Sequence, residues 1–231
     1  MKKILIILTL ALFSMGAFSQ LKFGVKGGMN YTFPSYTVSA DSIDKPKTSG
    51  IGTVVGFFCD IPLSETFFFM PEANLSFRYY NSVVETKSET SGFSSLTEVY
   101  GYHKLAYLEV PLLFKLNMEI NTGKYGRNNF LGLYAGPVFG LQLAKGFVGE
   151  TVSTITVYDQ TTVAKTEFSE TDVDYKPFDL AISAGAMYDF EKGARIGLRF
   201  LRSLAAVNNN EGYSINHNVL QLTFGYNFIK Q

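Results

Sequence analysis

Period-two alternation governs this chain, and it is cleanest from Leu220 to Phe228. Leu220, Leu222, Phe224, Tyr226 and Phe228 fall on one face; Gln221, Thr223, Gly225 and Asn227 fall on the other. Alternation of this kind places successive side chains on opposite faces of a strand. One face is large and apolar, the other small or polar. A soluble sandwich tolerates one such strand. Recurring through most of a chain, behind an export signal, the pattern predicts a barrel that is apolar outside and polar inside.

The export signal is at the N-terminus. Met1-Lys2-Lys3 is basic, and Ile4 to Phe13 is apolar but too short to cross a bilayer as a helix. Ala17-Phe18-Ser19 supplies the small residues of a cleavage site. The expected division is a signal peptide over 1–19 and an outer-membrane β-barrel domain over 20–231. Cysteine is absent from the cleavage point, which argues against a lipoprotein. The single cysteine, Cys59, leaves no internal disulfide to form and sits on the outward phase of its strand. With 21 Phe, 14 Tyr and no Trp, any interfacial belt has to be built from Phe and Tyr. The formal net charge is zero and no basic patch stands out, which argues against nucleic acid as a partner.

Eight segments alternate after the signal. They are Leu21 to Phe33, Ile51 to Ile61, Phe67 to Tyr79, His103 to Leu116, Phe130 to Leu143, Phe178 to Phe190, Arg195 to Leu204 and Leu220 to Phe228. Val54 and Phe58 blur the second. Each is long enough to cross an outer membrane at a tilt. The fold expected is all-β, an eight-stranded antiparallel up-and-down transmembrane barrel. Its connections alternate in length. Short ones span 60–66, 117–129 and 191–194; long ones span 34–50, 81–102, 144–177 and 205–217. Short periplasmic turns and long external loops follow the barrel rule. Outward aromatics fall into two girdles. Phe23, Phe67, Phe114, Tyr188, Phe190, Tyr226 and Phe228 lie at one height, and Tyr31, Phe33, Phe77 and Tyr79 at the other.

The inward face carries Lys22, Lys26, Glu72, Arg78, Glu109, Lys115, Asp179, Asp189, Arg195 and Arg199. Eight strands leave an interior about wide enough for side chains to fill. These charges are therefore expected to pair as a structural plug rather than line a pore. A soluble calycin-like ligand-binding barrel is the alternative, but it would reverse the faces, and charges are costly in a dry pocket. Pro71, Pro111 and Pro137 fall within strands of a sheet that has no edge, so bulges are expected there.

Several stretches resemble the Bacteroidetes-type outer-membrane β-barrel domain family, which includes PorT-like proteins. The residues that carry the likeness are Phe23-Gly24-Val25-Lys26-Gly27-Gly28 with Asn30, and Tyr107-Leu108-Glu109-Val110-Pro111-Leu112-Leu113-Phe114-Lys115. Tyr134-Ala135-Gly136-Pro137, Asp179 with Gly185, Arg199-Phe200 with Ser203-Leu204, and Gly225-Tyr226-Asn227-Phe228 extend it through nearly all the mature chain. The resemblance implies an outer-membrane location and an eight-stranded barrel. It implies no catalytic pattern.

A lipid-modifying enzyme would need a triad or metal set, and the chain has only His103 and His217. Strand phase puts both at the outer rim, on roughly opposite strands, so a shared site is not expected. No catalytic, metal-binding or cofactor-binding residue is assigned, and no cofactor. The segment 144–177 alternates Thr and Val at Thr151 to Tyr158 and Thr161 to Phe168, which reads as a hairpin that extends the barrel wall above the membrane. Val83 to Glu89 and Ser94 to Tyr100 read likewise. An exposed sheet of this kind suits a protein partner. The expected contacts are outer-membrane lipid and lipopolysaccharide, with a protein at the external loops and the barrel itself a monomer.

Overall fold

A computed structural model describes residues 21–38, 49–91, 93–121, 128–158, 160–170, 175–208 and 213–228. The signal peptide and its cleavage site lie outside these residues, as does the 122–127 part of the 117–129 turn. The strands are β1 (Lys22–Thr32), β2 (Ser35–Val38), β3 (Gly50–Pro62), β4 (Phe67–Thr90), β5 (Phe93–Asn121), β6 (Asn128–Val157), β7 (Gln160–Glu170), β8 (Phe178–Asp189), β9 (Ala194–Ser203), β10 (Tyr213–Asn216) and β11 (Asn218–Asn227). Eight of them close a ring in the order β1, β3, β4, β5, β6, β8, β9, β11, each pairing antiparallel with the next. The ring closes where β11 returns to β1, with Gly28 opposite Thr223. This is an eight-stranded up-and-down barrel, and each of the eight alternating segments supplies one wall strand.

The faces decide what kind of barrel it is. Phe57, Phe67, Phe114, Phe139, Leu198 and Phe224 are exposed on the outside, while Lys26, Glu72, Arg78, Glu109, Lys115 and Arg199 are buried within. A calyx would have the reverse, so the soluble alternative is excluded. The external girdle is continuous from Tyr31 to Phe33 and on to Phe200, with ring centroids 5.6 and 6.2 Å apart. The opposite girdle includes Tyr188 against Phe190 at 4.8 Å and Tyr226 against Phe228 at 6.2 Å. At about 3.3 Å per residue, the β4 run from Phe67 to Tyr79 is about 40 Å long. A tilt near 45° projects that to about 28 Å, close to an apolar band of about 25 Å. Leu21, in phase with the outward Phe23 two residues on, is buried instead.

Two expectations about backbone geometry need correction. The prolines do not carry bulges. The β4–β5 register is the same at Pro71↔Leu112 as at Asn74↔Glu109, and Pro111↔Val138 and Pro137↔Ile182 also sit in unbroken registers. Each proline removes one donor, and the ladder resumes in step beyond it. The register shift falls instead between Ala106 and Tyr107, opposite β6. The short turn between β8 and β9 is tight because Gly193 adopts φ 89°, a conformation other residues resist.

The second correction concerns length. The hairpin read in Val83 to Glu89 and Ser94 to Tyr100 is present, with Val83 opposite Tyr100 and Glu89 opposite Ser94, but it is longer than read: β4 and β5 enter it directly from the wall, in place of the expected loop over 81–102. β6 continues beside β5 as far as Val157, and β7 folds back on it from Gln160, with Tyr158 at φ 41° in the connection. A four-stranded sheet, β4-β5-β6-β7, thus extends the barrel wall past the external girdle. On the opposite side of the mouth, β2 and β10 pair as a small separate sheet.

Candidate functional site

The inward charges stack in three tiers. At the short-turn end, the Lys115 ammonium donates to Asp60 Oδ2 at 2.6 Å and reaches Asp189 Oδ2 at 3.5 Å. The Arg195 guanidinium donates to Asp60 Oδ2 at 2.5 Å and clasps both oxygens of Asp189. In the middle tier, Arg199 grips Glu72 with two bonds of 2.7 and 2.8 Å, and Lys26 donates to the same carboxylate at 2.5 Å. In the upper tier, Arg78 donates to Glu109 at 2.8 Å, Asp179 at 2.9 Å and His217 Nδ1 at 2.8 Å. Because Arg78 can only donate, His217 Nδ1 accepts and its ring proton sits on Nε2.

Aromatic rings lie beside four of these cations. Arg195 sits over Phe58 at 4.2 Å, Arg78 over Tyr107 at 4.5 Å, Lys115 over Phe68 at 5.0 Å and Arg199 over Tyr134 at 5.2 Å. Guanidinium and ammonium groups are attracted to such ring faces when desolvated. The blurred second segment has its reading here: Phe58 lies on the inward phase of β3 with Val54 and Asp60, and Arg195 covers its ring. Lys22, expected among the lumen charges, is half-buried over Phe68 at 6.0 Å, beside the short-turn tier and within electrostatic reach of Asp60 and Asp189. Asp60, at the start of the 60–66 turn in the sequence pattern, joins Lys115 to Arg195. It lies on the inward phase set by Phe58, and that phase was the available signal.

Above the charges, the mouth is closed by chain that folds back into it. Tyr80, Leu105 and Tyr107 from the wall pack with Tyr175, Val207 and Ile215 from the external connections, and Tyr36 of β2 rests against them. Tyr80 and Tyr175 share a 2.5 Å hydrogen bond. The Tyr175 hydroxyl also bonds His103 Nδ1 at 2.9 Å, and His103 Nε2 meets Ser82 Oγ at 3.1 Å.

The histidines are therefore not free rim residues. His217 is fully buried, His103 nearly so, and both pack on Tyr80, at 4.6 Å for His103 and 5.8 Å for His217. Strand phase placed them on opposite walls correctly but took no account of Tyr80 filling the narrow space between. The order Ser82, His103, Tyr175 has the outline of nucleophile, base and orienting group. Its setting argues for a strut instead. The imidazole is sandwiched between Tyr80 and Phe147, and Phe147 lies across Gly101, where a Cβ would fall 2.1 Å from the ring. Ser82, paired with Gly101, is buried beneath this stack. Among the described residues, no group of three acidic, histidine or cysteine side chains could hold a metal ion.

The projecting sheet has two unlike faces. Its outward side carries Glu85, Lys87, Glu89, Glu98, Glu150, Lys165 and Glu167. The side continuous with the lumen carries Thr86, Ser88, Ser95, Thr97, Thr151, Ser153, Thr162, Ala164 and Thr166 in matching register. Aromatic stacking ties this sheet to the mouth. Tyr80, His103, Phe147 and Phe168 form a ladder across β4, β5, β6 and β7, with centroid spacings of 4.6, 4.4 and 5.1 Å.

A family model described as outer membrane protein beta-barrel domain matches residues 15–209. Among solved structures, the chain is similar to the attachment invasion locus protein Ail of Yersinia pestis. That match has 9% identity and a TM-score of 0.31, and covers 90% of this chain and 98% of that one. It is also similar to Neisserial surface protein A, at 8% identity and a TM-score of 0.36, covering 89% and 97%. Comparison with curated proteins finds no match.

Proposed function

The chain belongs to the outer membrane protein β-barrel domain family, and from that premise we propose that it serves as an interaction platform rather than a pore or an enzyme. The observation that supports this is the distribution of order in the molecule. The lumen is filled by three ion-paired tiers and capped by Tyr80, Tyr175, Val207 and Ile215. The β4-β5-β6-β7 sheet, by contrast, projects past the barrel with exposed faces and edges. A structure that closes its channel and extends its wall is suited to contact from outside the cell.

The sequence likeness to PorT-like members favours a narrower version, in which the barrel is an accessory to protein secretion. Lipid and lipopolysaccharide surround the wall in this reading, and proteins meet the sheet. The test is deletion of Val152 to Phe168 followed by crosslinking from the sheet on intact cells. The variant should insert and keep heat-modifiable migration, because the spanning strands are untouched. It should lose crosslinked partners. Unchanged crosslinking would overturn the platform reading, and failed assembly would make this segment part of the barrel's folding unit.

A further inference from the structure

The outer edge of β7 is open. Among the described residues β7 pairs with β6 alone, in one unbroken register from Val157↔Gln160 to Phe147↔Glu170. Long free edges are usually guarded by proline, a bulge or several charges, because they otherwise recruit another strand. β7, reading QTTVAKTEFSE, has no proline and no bulge, and its three charges, Lys165, Glu167 and Glu170, are of mixed sign rather than a repelling run of one sign.

Its sequence also fits itself. Consider two β7 strands paired antiparallel about Thr166. Lys165 of each then faces Glu167 of the other, twice across the symmetry axis. On the opposite face, small Ala164 meets large Phe168, and Thr166 meets Thr166. Val163 meets Ser169, and Thr162 meets Glu170. Cross-strand pairs of opposite charge and complementary size stabilise a sheet. Moving the axis by one residue to Lys165 or to Glu167 would put like charges face to face. The Lys165 ammonium already lies 3.0 Å from Glu150 and is largely exposed, so it would sit between two carboxylates.

Symmetry then fixes how the two molecules stand. An axis that relates two antiparallel strands in one sheet is normal to that sheet. The sheet continues the barrel wall, so its normal lies in the plane of the membrane. Rotation about such an axis turns one barrel upside down relative to the other. Two barrels side by side in one membrane cannot pair this way; two barrels in facing membranes can.

We propose that the β7 edge is a homophilic docking strand: it pairs about Thr166 with β7 of a second copy in an opposing membrane, joining two four-stranded sheets into one. This rests on the platform reading and names the partner as the chain itself. Each barrel remains a monomer within its own membrane.

The test uses the full-length protein in lipid nanodiscs holding one barrel each, so that lateral contact is excluded. Light scattering coupled to size-exclusion chromatography reads the pairing. Wild-type discs should pair reversibly in the micromolar range, and electron microscopy should show the two discs at opposite ends of the joined sheets. Lys165→Glu alone and Glu167→Lys alone should each weaken self-pairing tenfold or more. Mixing those two variants should restore pairing, since each then offers the other opposite charges. The double variant should pair with itself but not with wild type. Wild-type discs that stay single at 100-fold higher concentration, or single-charge variants that pair as well as wild type, would overturn the proposal. Neither result touches the platform reading, which stands or falls on the crosslinking of the Val152–Phe168 deletion.

Discussion

The imidazole of His103 stacks on the ring of Phe147 with centroids 4.4 Å apart and planes 28° from parallel. This contact lies where the barrel ends and the projecting sheet begins. Below it, His103 stacks on Tyr80 and bonds Tyr175 in the cap. Beyond it, Phe147 meets Phe168 of β7. One run of rings therefore couples the closed mouth to the free edge, and the orientation of the sheet depends on the packing of the cap.

Phe147→Ala should separate these two regions. Each stacked pair contributes about 0.5–1.5 kcal/mol beyond buried area, and the substitution removes two. The barrel should still insert and migrate as folded. Amide exchange in 83–102 and 147–170 should accelerate roughly tenfold while the wall strands stay protected. Uniform acceleration would mean that the ladder holds the barrel itself.

The middle tier predicts a reversal of effects. Glu72 is gripped by Arg199 and Lys26, and all three are buried. Glu72→Ala leaves two buried cations facing each other and should cost about 3–5 kcal/mol in urea unfolding. Replacing all three by Met or Leu removes charge without leaving any of these three groups unpaired, and should recover most of that loss. Equal destabilisation in both variants would show that the tier contributes packing rather than charge balance.

Closure of the lumen predicts electrical silence. Planar-bilayer recordings of the purified protein should show no stable large openings, because ion pairs of 2.5–3.5 Å cross the lumen in three tiers. Stable single-channel currents of porin size would contradict this.

The wall was legible in the sequence because lipid on one side and charge on the other impose the strongest contrast a strand can carry. Leu220 to Phe228 and Phe67 to Tyr79 read directly for that reason. Above the membrane, water meets both faces and the contrast fades. Only Thr and Val alternation remained to suggest the hairpins as extensions of the wall, and it did not fix their bounds, since β4, β5 and β6 run into them without an intervening loop. Asp60 was missed because it stands at a strand end followed by turn residues. The cap was not legible at all. Tyr175, Val207 and Ile215 are ordinary loop residues in sequence, and only chain folding back over the mouth brings them to Tyr80.

β4 can serve as a depth gauge, since its outward positions cross from lipid to water without a break. Phe67, Phe69, Ala73, Leu75, Phe77 and Tyr79 come first, then Asn81, Val83, Glu85, Lys87 and Glu89. The change at Asn81 follows the last aromatic of the external girdle, where Tyr79 meets Tyr102 at 5.9 Å. An arginine on the lipid face costs about 2–4 kcal/mol at mid-depth and about 0–1 near the interface. Leu75→Arg should therefore destabilise folding into bilayers by about 2–4 kcal/mol. Tyr79→Arg should cost far less, apart from its lost ring contact. Val83→Arg should be nearly silent, because its position is above the lipid and already flanked by Glu85. Urea titrations of the three variants in the same lipid would give the gradient. A penalty at Val83 as large as that at Leu75 would place the sheet within the bilayer and remove the basis for any role outside it.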